Sequence, residues 1–401
     1  MRGVGRPRVS LTIRDCKSRY FAALCKQGPE PYVILLRVRA LKHGAAAPNQ
    51  SSALIKSHVK TLVSVIIPAY NGERFIAQSL QSVLNQTIKD LEIVIVDDGS
   101  TDTTAEIVRE FQRADSRIRY IAQANLGQAA ARNTGAAAAA GDLIAFLDQD
   151  DLWLDHKLEV QIRALKESGA DVVFSNGHIF GHEPSDDNMS FPVVHGKFSG
   201  TEMFPLLFNQ NQIPLATALV RADAFAAAGR LDENPLYQNA DDYDFWLRLA
   251  GGGRMFVGLP EKLIRYRIHS GQASTDAVKM LKAELAVLRK HEHNSLLNGV
   301  EKAPRFHSMY YKLVLALVEV GEYKEARQYL QHILAQEDYP IGVRAQALAL
   351  RLLPSHFKSI MDLSHRIRES VGYRIAGPLR RVLNQARSMV ANFFIQIMIV
   401  C

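Results

Sequence analysis

Three short aspartate clusters in this 401-residue chain are spaced and placed to do chemistry: Asp97-Asp98, Asp148-x-Asp150-Asp151 and Asp241-Asp242. In an extended segment alternate side chains point the same way, so Asp148 and Asp150 can approach one ion together. Carboxylate oxygens are hard ligands and suit Mn2+ or Mg2+. A divalent cation held there would neutralise a departing diphosphate, and a further positioned carboxylate could accept a proton from an attacking hydroxyl. The plainer alternative is that these aspartates cap helices, Asp150 or Asp151 capping one from Leu152.

The surrounding pattern predicts the elements that must carry these groups. Leu62-Val63-Ser64-Val65-Ile66-Ile67 is a β-branched run stopped at Pro68, a buried strand. Phe75, Ile76, Leu80, Val83 and Leu84 have helical spacing. Leu91 to Val96 is a second strand, ending at Asp97-Asp98-Gly99-Ser100, with Ser100 or Thr101 as the cap of a helix reaching about Ala114. Ile118 to Ala122 is a third strand, Gln128 to Ala140 an alanine-rich helix, and Asp142 to Leu147 a fourth strand that ends at the second acidic cluster. A helix to about Lys166 and a strand at Asp171 to Phe174 follow. Residues 181–200 read as a loop, and Met255 to Val257 and Leu263 to Ile268 as two short strands. Alternating strands and helices imply an α/β fold with a mostly parallel sheet flanked by helices. Ligands of such sheets bind beyond the carboxyl ends of the strands, where the acidic turns collect.

From about Asp276 the pattern is helical alone. Tyr310, Leu313, Leu317 and Val320 share one face, and Tyr323, Ala326, Leu330, Ile333 and Leu334 another, on either side of Gly321. This hairpin resembles a single tetratricopeptide repeat. The expected organisation is a basic N-terminal extension over 1–60, an α/β domain over 61–275 and an all-helical C-terminal region over 276–401.

The motifs, taken in order, resemble those of the family 2 glycosyltransferases of GT-A fold. They are Pro68-Ala69-Tyr70-Asn71, Val96-Asp97-Asp98-Gly99-Ser100-Thr101-Asp102, Asn125-x-Gly127 with Ala131-Arg132-Asn133-x-Gly135, Phe146-Leu147-Asp148-Gln149-Asp150-Asp151, and Asp241-Asp242-Tyr243-Asp244-Phe245-Trp246-Leu247-Arg248. The resemblance covers roughly residues 60–275. It implies transfer of a sugar from a nucleotide-sugar, a UDP-sugar above all, to an acceptor hydroxyl by direct displacement with inversion, the chemistry of a hexosyltransferase of class EC 2.4. The implied roles are a nucleoside pocket lined by Pro68, Tyr70 and Asn71, contacts from Asp97 and Asp98 to uracil or ribose, and Arg132 near the nucleotide. Asp148 and Asp150 hold ribose and metal, His269 of Tyr266-Arg267-x-His269 reaches the metal or diphosphate, and Asp242 is the general base. Asp241 stands where the family more often has Glu, which leaves open which of the two neighbouring acids is catalytic. Asp241 and Trp246 are assigned to the acceptor side, Trp246 by stacking on a sugar, its alternative being a core position. The acceptor is expected to be a glycan or lipid-linked hydroxyl in cell-surface polysaccharide synthesis. A sugar-binding scaffold without turnover is the alternative.

Composition bounds these expectations. Lys and Arg exceed Asp and Glu by 48 to 41, a formal charge of +7, with the excess gathered in residues 1–60 and near the C-terminus. This reads as solvated tails or as peripheral contact with the inner membrane face; no nucleic-acid partner is expected. The run Met389 to Val400 is short of the roughly 18 apolar residues a span needs, and no secretory leader is recognisable. Cys16, Cys25 and Cys401 suggest no disulfide framework, which fits a cytoplasmic setting. The first strand is followed by neither G-x-G-x-x-G nor a phosphate-binding loop, which argues against a dinucleotide oxidoreductase and a P-loop NTPase. No Q-x-x-R-W motif of processive polysaccharide synthases is present.

Overall fold

A computed structural model describes residues 62–181, 190–191, 193–272 and 275–335. The basic extension, the three cysteines, the apolar run from Met389 and part of the 181–200 loop lie outside the described residues. The chain divides into two compact units at the Thr275–Asp276 junction.

The first unit is built on one sheet with strand order β3-β2-β1-β4-β8-β6-β9-β5, and β7 paired to β9. Its strands are β1 (Val63–Ala69), β2 (Leu91–Asp97), β3 (Ile118–Ala122), β4 (Leu143–Phe146), β5 (Leu152–Trp153), β6 (Val172–Phe180), β7 (Gly196–Phe198), β8 (Leu219–Arg221) and β9 (Phe256–Arg267). The half holding β3, β2, β1 and β4 is parallel. The other half is mixed, because β8 runs antiparallel to both β4 and β6, and β5 and β7 run antiparallel to β9. The mostly parallel expectation therefore holds only on the side where β-α-β crossovers alternate.

Helices α1 (Ile76–Leu84), α2 (Thr104–Ala114), α3 (Gln128–Ala138) and α4 (Lys157–Ser168) join the early strands, and α5 (Gly200–Asn209), α6 (Ala222–Ala227) and α7 (Asp241–Gly251) follow. Every residue of β1 is buried, as its continuous β-branched run requires. The strand continues through Pro68 to Ala69 rather than stopping. Beyond Ile66 it pairs with β2 alone, so the missing proline N–H falls where β4 no longer needs a donor.

Three other boundaries differ from the expected ones. α2 begins at Thr104, because Ser100 and Thr101 are occupied with Asn71. Leu152 and Trp153 form β5 and α4 starts at Lys157, so Asp150 and Asp151 cap no helix. The two short strands expected near 255 and 263 are one, β9. A register shift around Asn176 lets β6 follow it, and Gly258 passes so close to Val194 that an added Cβ would lie 2.1 Å from its carbonyl oxygen.

The second unit contains α8 (Ala277–His291), α9 (Ala303–Glu319) and α10 (Tyr323–Ala335). Asp276 caps α8 by accepting from the Lys279 N–H. Gly321, at φ +86°, makes the turn between α9 and α10. Tyr310, Leu313 and Leu317 pack with Ala326, Leu330 and Ile333 in the buried set, but Val320 and Tyr323 are exposed because they flank the turn. Among the described residues no helix is long and apolar enough to cross a membrane.

Candidate active site

The carboxyl ends of β1 and β2 are tied together before any ligand is considered. Asn71 adopts a left-handed φ of 47°, a conformation Asn tolerates better than most residues. Its N–H donates to Ser100 Oγ at 3.0 Å and its Oδ1 accepts from the Thr101 N–H at 2.8 Å. Asp97 Oδ1 accepts from the Ser100 N–H at 2.8 Å, and Oδ2 from the Tyr120 hydroxyl at 2.6 Å. Burial, with that bond to Asp97, pushes the Tyr120 phenol up to about 12. Asp98 accepts from Gln123 Nε2 and from the N–H groups of Leu126 and Gly127. Asp97 and Asp98 are 3% and 4% exposed. These carboxylates order the loops around the site, at the strand ends where the nucleoside contacts were expected. Pro68 is likewise buried inside β1, leaving Tyr70 and Asn71 as the exposed part of that turn.

The turn after β4 carries the second acidic cluster, and each of its residues is tied to a different element. Asp148 Oδ1 accepts from Arg132 Nη2 at 2.7 Å and from Gln128 Nε2 at 3.2 Å, both on α3. The Gln149 amide pairs with the Tyr70 backbone in both directions, accepting at 2.9 Å and donating at 3.0 Å. Asp150 Oδ2 lies 2.8 Å from His269 Nε2. Asp151 is 1% exposed and its Oδ1 accepts from the Arg267 N–H at 2.9 Å. Burial and the Asp148 charge raise the Asp150 carboxyl above its usual value, against the pull of His269. Burial and its two acidic neighbours raise Asp151 further. The His269 ring packs against Phe75, with centroids 4.8 Å apart.

The third cluster begins α7, where acidic groups suit the positive end of the helix. Asp241 Oδ2 accepts from Arg132 Nη1 at 3.0 Å, and Arg132 itself is 4% exposed. One guanidinium therefore bridges the turn after β4 to the start of α7. Its two carboxylate partners outweigh burial and hold it firmly protonated. Asp242 is half-buried and accepts from the Tyr243 N–H at 2.6 Å. Burial and the neighbouring Asp241 charge push it up to about 7, opposed by Arg132. Of the two adjacent acids, Asp241 is consumed by the ion pair, which corrects its assignment to the acceptor side. Trp246 is corrected too: it is wholly enclosed, donates from Nε1 to the Ile213 carbonyl at 2.8 Å, and has no face to offer a sugar.

Two groups thus hang on one turn: Arg132, Asp148, Asp241 and Asp242, and Asp150 with His269. Gln128 and Gln149 belong to this framework although neither residue type marked them out; Gln149 is simply the middle position of Asp148-x-Asp150. Among the described residues no group of three or more His, Cys, Asp or Glu forms a ready-made metal site. The donor set nonetheless fits a hard divalent cation bound together with its nucleotide. A carboxylate and an imidazole converge at 2.8 Å with a second carboxylate two positions earlier. Mg2+-like ions commonly take only one or two protein carboxylates, with substrate phosphates and water completing the shell.

Comparison with known proteins points the same way. The Glycosyl transferase family 2 model matches residues 64–227. The chain is 31% identical over 236 residues to TuaG of Bacillus subtilis, named as a putative teichuronic acid biosynthesis glycosyltransferase, covering 58% of this chain and 89% of that protein. An uncharacterized glycosyltransferase of Rickettsia felis is 32% identical over 260 residues, covering 62% of this chain. The chain spans about 40% of the length of that protein and of its Rickettsia conorii counterpart. Among solved structures, S. aureus TarS 1-349 in complex with UDP-GlcNAc gives a TM-score of 0.49 at 19% identity, over 74% of this chain and 87% of that one. That likeness carries no residue equivalences.

Proposed function

The chain belongs to glycosyl transferase family 2, and we propose that it moves a sugar from a nucleotide-sugar, a UDP-sugar in the first instance, to an acceptor hydroxyl of a glycan or lipid-linked saccharide, with inversion. The observation that carries this reading is the bridge made by Arg132. It brings Asp148, at the expected donor end, and the start of α7, with Asp242, into one cluster.

Asp242 is the general base. A carboxyl pushed up to about 7 is a stronger proton acceptor than an ordinary aspartate and is still substantially ionised near neutral pH. Arg132 and Asp241 act as positioning residues, fixing the first turn of α7 so that Asp242 keeps its place. Tyr70 and Asn71 receive the nucleoside, and Asp148 the ribose. Asp148, Asp150 and His269 would hold a Mn2+ or Mg2+ ion. When bound, the ion supplies charge neutralisation at the leaving diphosphate. The hydroxyl proton passes to an Asp242 carboxylate oxygen as the acceptor oxygen bonds to the anomeric carbon and the bond to the diphosphate breaks.

The test is release of UDP from a panel of UDP-sugars with Mn2+, with and without chelator, in the chain and in Asp242→Asn. Chelator-sensitive release that Asp242→Asn abolishes, with donor binding kept, supports the reading. Tight donor binding without release for any acceptor would instead support a non-catalytic scaffold on the same fold.

A further inference from the structure

The Asp242 carboxylate is bonded within its own helix, to the Tyr243 N–H. Where Asp242 sits is therefore set by where α7 sits. The ion pair of Asp241 with Arg132 ties the first turn of α7 to α3. One tie fixes a point on a helix and leaves its direction free.

A second tie runs through the peptide between Arg230 and Leu231, in the segment that joins α6 to α7. Arg248, about two turns beyond Asp241 on α7, donates from Nη2 to the Arg230 carbonyl at 2.6 Å and from Nη1 to the Ala228 carbonyl. Its Nε is paired with Asp244 at 2.8 Å, which holds the guanidinium in place. From the other side, Asn133 of α3 accepts from the Leu231 N–H through Oδ1 at 3.0 Å. Asn133 Nδ2 donates to the Leu231 carbonyl at 2.9 Å and to Glu233 Oε1 at 2.8 Å. One peptide unit thus has its carbonyl gripped from α7 and its N–H gripped from α3. Arg230 keeps a left-handed φ of 65°, a conformation that a non-glycine residue holds only where its surroundings impose it. Of residues 229–239 Leu231 alone is buried, so the segment is anchored at this point. Asn133 is 4% exposed, and these three bonds of its amide go to the segment leading into α7.

We infer that Asn133 is a positioning residue for the general base. With its neighbour Arg132 it gives α7 two attachments to α3, one direct and one through the Arg230–Leu231 peptide. Together they fix the direction of the helix, and with it the approach of Asp242 to the acceptor hydroxyl. The link to the base rests on the glycosyl-transfer reading; the clamp on residues 229–239 does not.

Trypsin cuts after arginine, and the bond after Arg230 is the one that both clamps hold. Cleavage there, mapped by mass, reports how often the clamp opens. The experiment compares cleavage, kcat and donor KM in the full chain and in Asn133→Ala, Asn133→Asp, Glu233→Ala and Asn133→Asp with Glu233→Gln. Thermal melting establishes that each variant folds. In Asn133→Ala, cleavage after Arg230 should quicken about tenfold or more as the three bonds are lost. Its kcat should fall about tenfold or more while donor KM stays within about twofold, because the donor cradle is untouched. Asn133→Asp loses both donors and faces the Glu233 carboxylate, so Glu233→Gln added to it should restore part of the kcat and of the protection. Glu233→Ala, at an exposed position, should move both readouts a smaller way in the same direction, and keeps the test open if Asn133→Ala does not fold. Cleavage at the parent's rate in the folded Asn133 variants overturns the clamp. Faster cleavage with unchanged kcat, or a loss of kcat matched by donor KM, overturns the positioning role. Turnover kept by Asp242→Asn would sink the base and with it the link to catalysis, while cleavage after Arg230 would still decide the clamp.

Discussion

Arg132 on α3 and Asp241 at the start of α7 stand 109 positions apart and meet in an ion pair of 3.0 Å, the arginine and the aspartate 4% and 3% exposed. A pair this buried is costly to assemble and more costly to break, because the survivor keeps its charge without its solvent. Arg132→Met should therefore lower unfolding free energy by about 3–5 kcal/mol in urea titrations. Adding Asp241→Asn should restore part of it. A loss below about 1 kcal/mol in the single variant would mean that water replaces the pair and that the bridge does not hold α7 in place.

Asp242 offers a test in which the signs are opposed. Its value of about 7 in the folded chain lies above its ordinary 3.8, so the folded state retains a proton that the unfolded state releases. Its contribution to stability is complete below the unfolded value and is lost as pH rises through about 7. Asp242→Asn removes that loss, so the variant should melt higher than the parent at pH 8 and close to it at pH 4. Activity moves the other way. As a base, Asp242 must be ionised, so kcat/KM should climb with pH through about 7 and level off above it, and the Asn variant should fall by about 100-fold or more. Unchanged turnover in Asp242→Asn would put the base elsewhere.

Gly72 and Gln149 are coupled by space alone. A Cβ on Gly72 would lie 2.2 Å from Gln149 Oε1, the atom that accepts from the Tyr70 N–H. Gly72→Ala should therefore evict the Gln149 amide and release the turn that presents Tyr70. The loss of two hydrogen bonds, about 1–2 kcal/mol, should raise the donor KM roughly 5- to 30-fold. Gln149→Ala should do the same, and Gly72→Ala should then add little. Fully additive effects in this cycle would show that the two substitutions act through different contacts.

What could be read in advance follows from how far each signal reaches. β1 and β2 were legible because continuous β-branched runs admit few other fates, and β4 because a short unbroken apolar run is bounded by aspartates. The acidic turns were legible because each closes such a strand. What escaped depended on partners distant in sequence. Nothing local to Asp241 reveals that Arg132 takes it, nor to Asp151 that the Arg267 backbone does. The antiparallel β8 is three residues long and leaves no periodic trace. Gln149 looked like filler because its role is a bond to a backbone 79 positions earlier.

Trp246 is the case in which residue type misled, since tryptophan serves both sugar stacking and cores. Here its Nε1 is bonded to the Ile213 carbonyl and its ring touches Phe245, with centroids 5.1 Å apart. Trp246→Phe should strand that carbonyl and cost about 1–3 kcal/mol of stability. The acceptor KM should not move. A rise in acceptor KM without any loss of stability would restore the stacking role.

Lys157 opens α4 entirely buried, its Nζ donating to Gln161 Oε1 at 2.7 Å and lying 4.0 Å from the Trp153 ring centroid. Neither partner is an anion, so burial holds the amine well below its usual value. The unfolded chain takes up a proton there that the folded chain resists. Stability from this position is thus complete only above the ordinary lysine value and is lost as pH falls toward the depressed one. Lys157→Met removes the titration but leaves Gln161 Oε1 without its donor, so stability at a single pH could move either way. The slope is unambiguous: between pH 6 and 9, unfolding free energy should rise with pH less steeply in the variant than in the parent. Urea titrations at several pH values measure it. Equal slopes would mean that the ammonium reaches water through an opening of α4, and that the enclosed amine is not the state that sets stability.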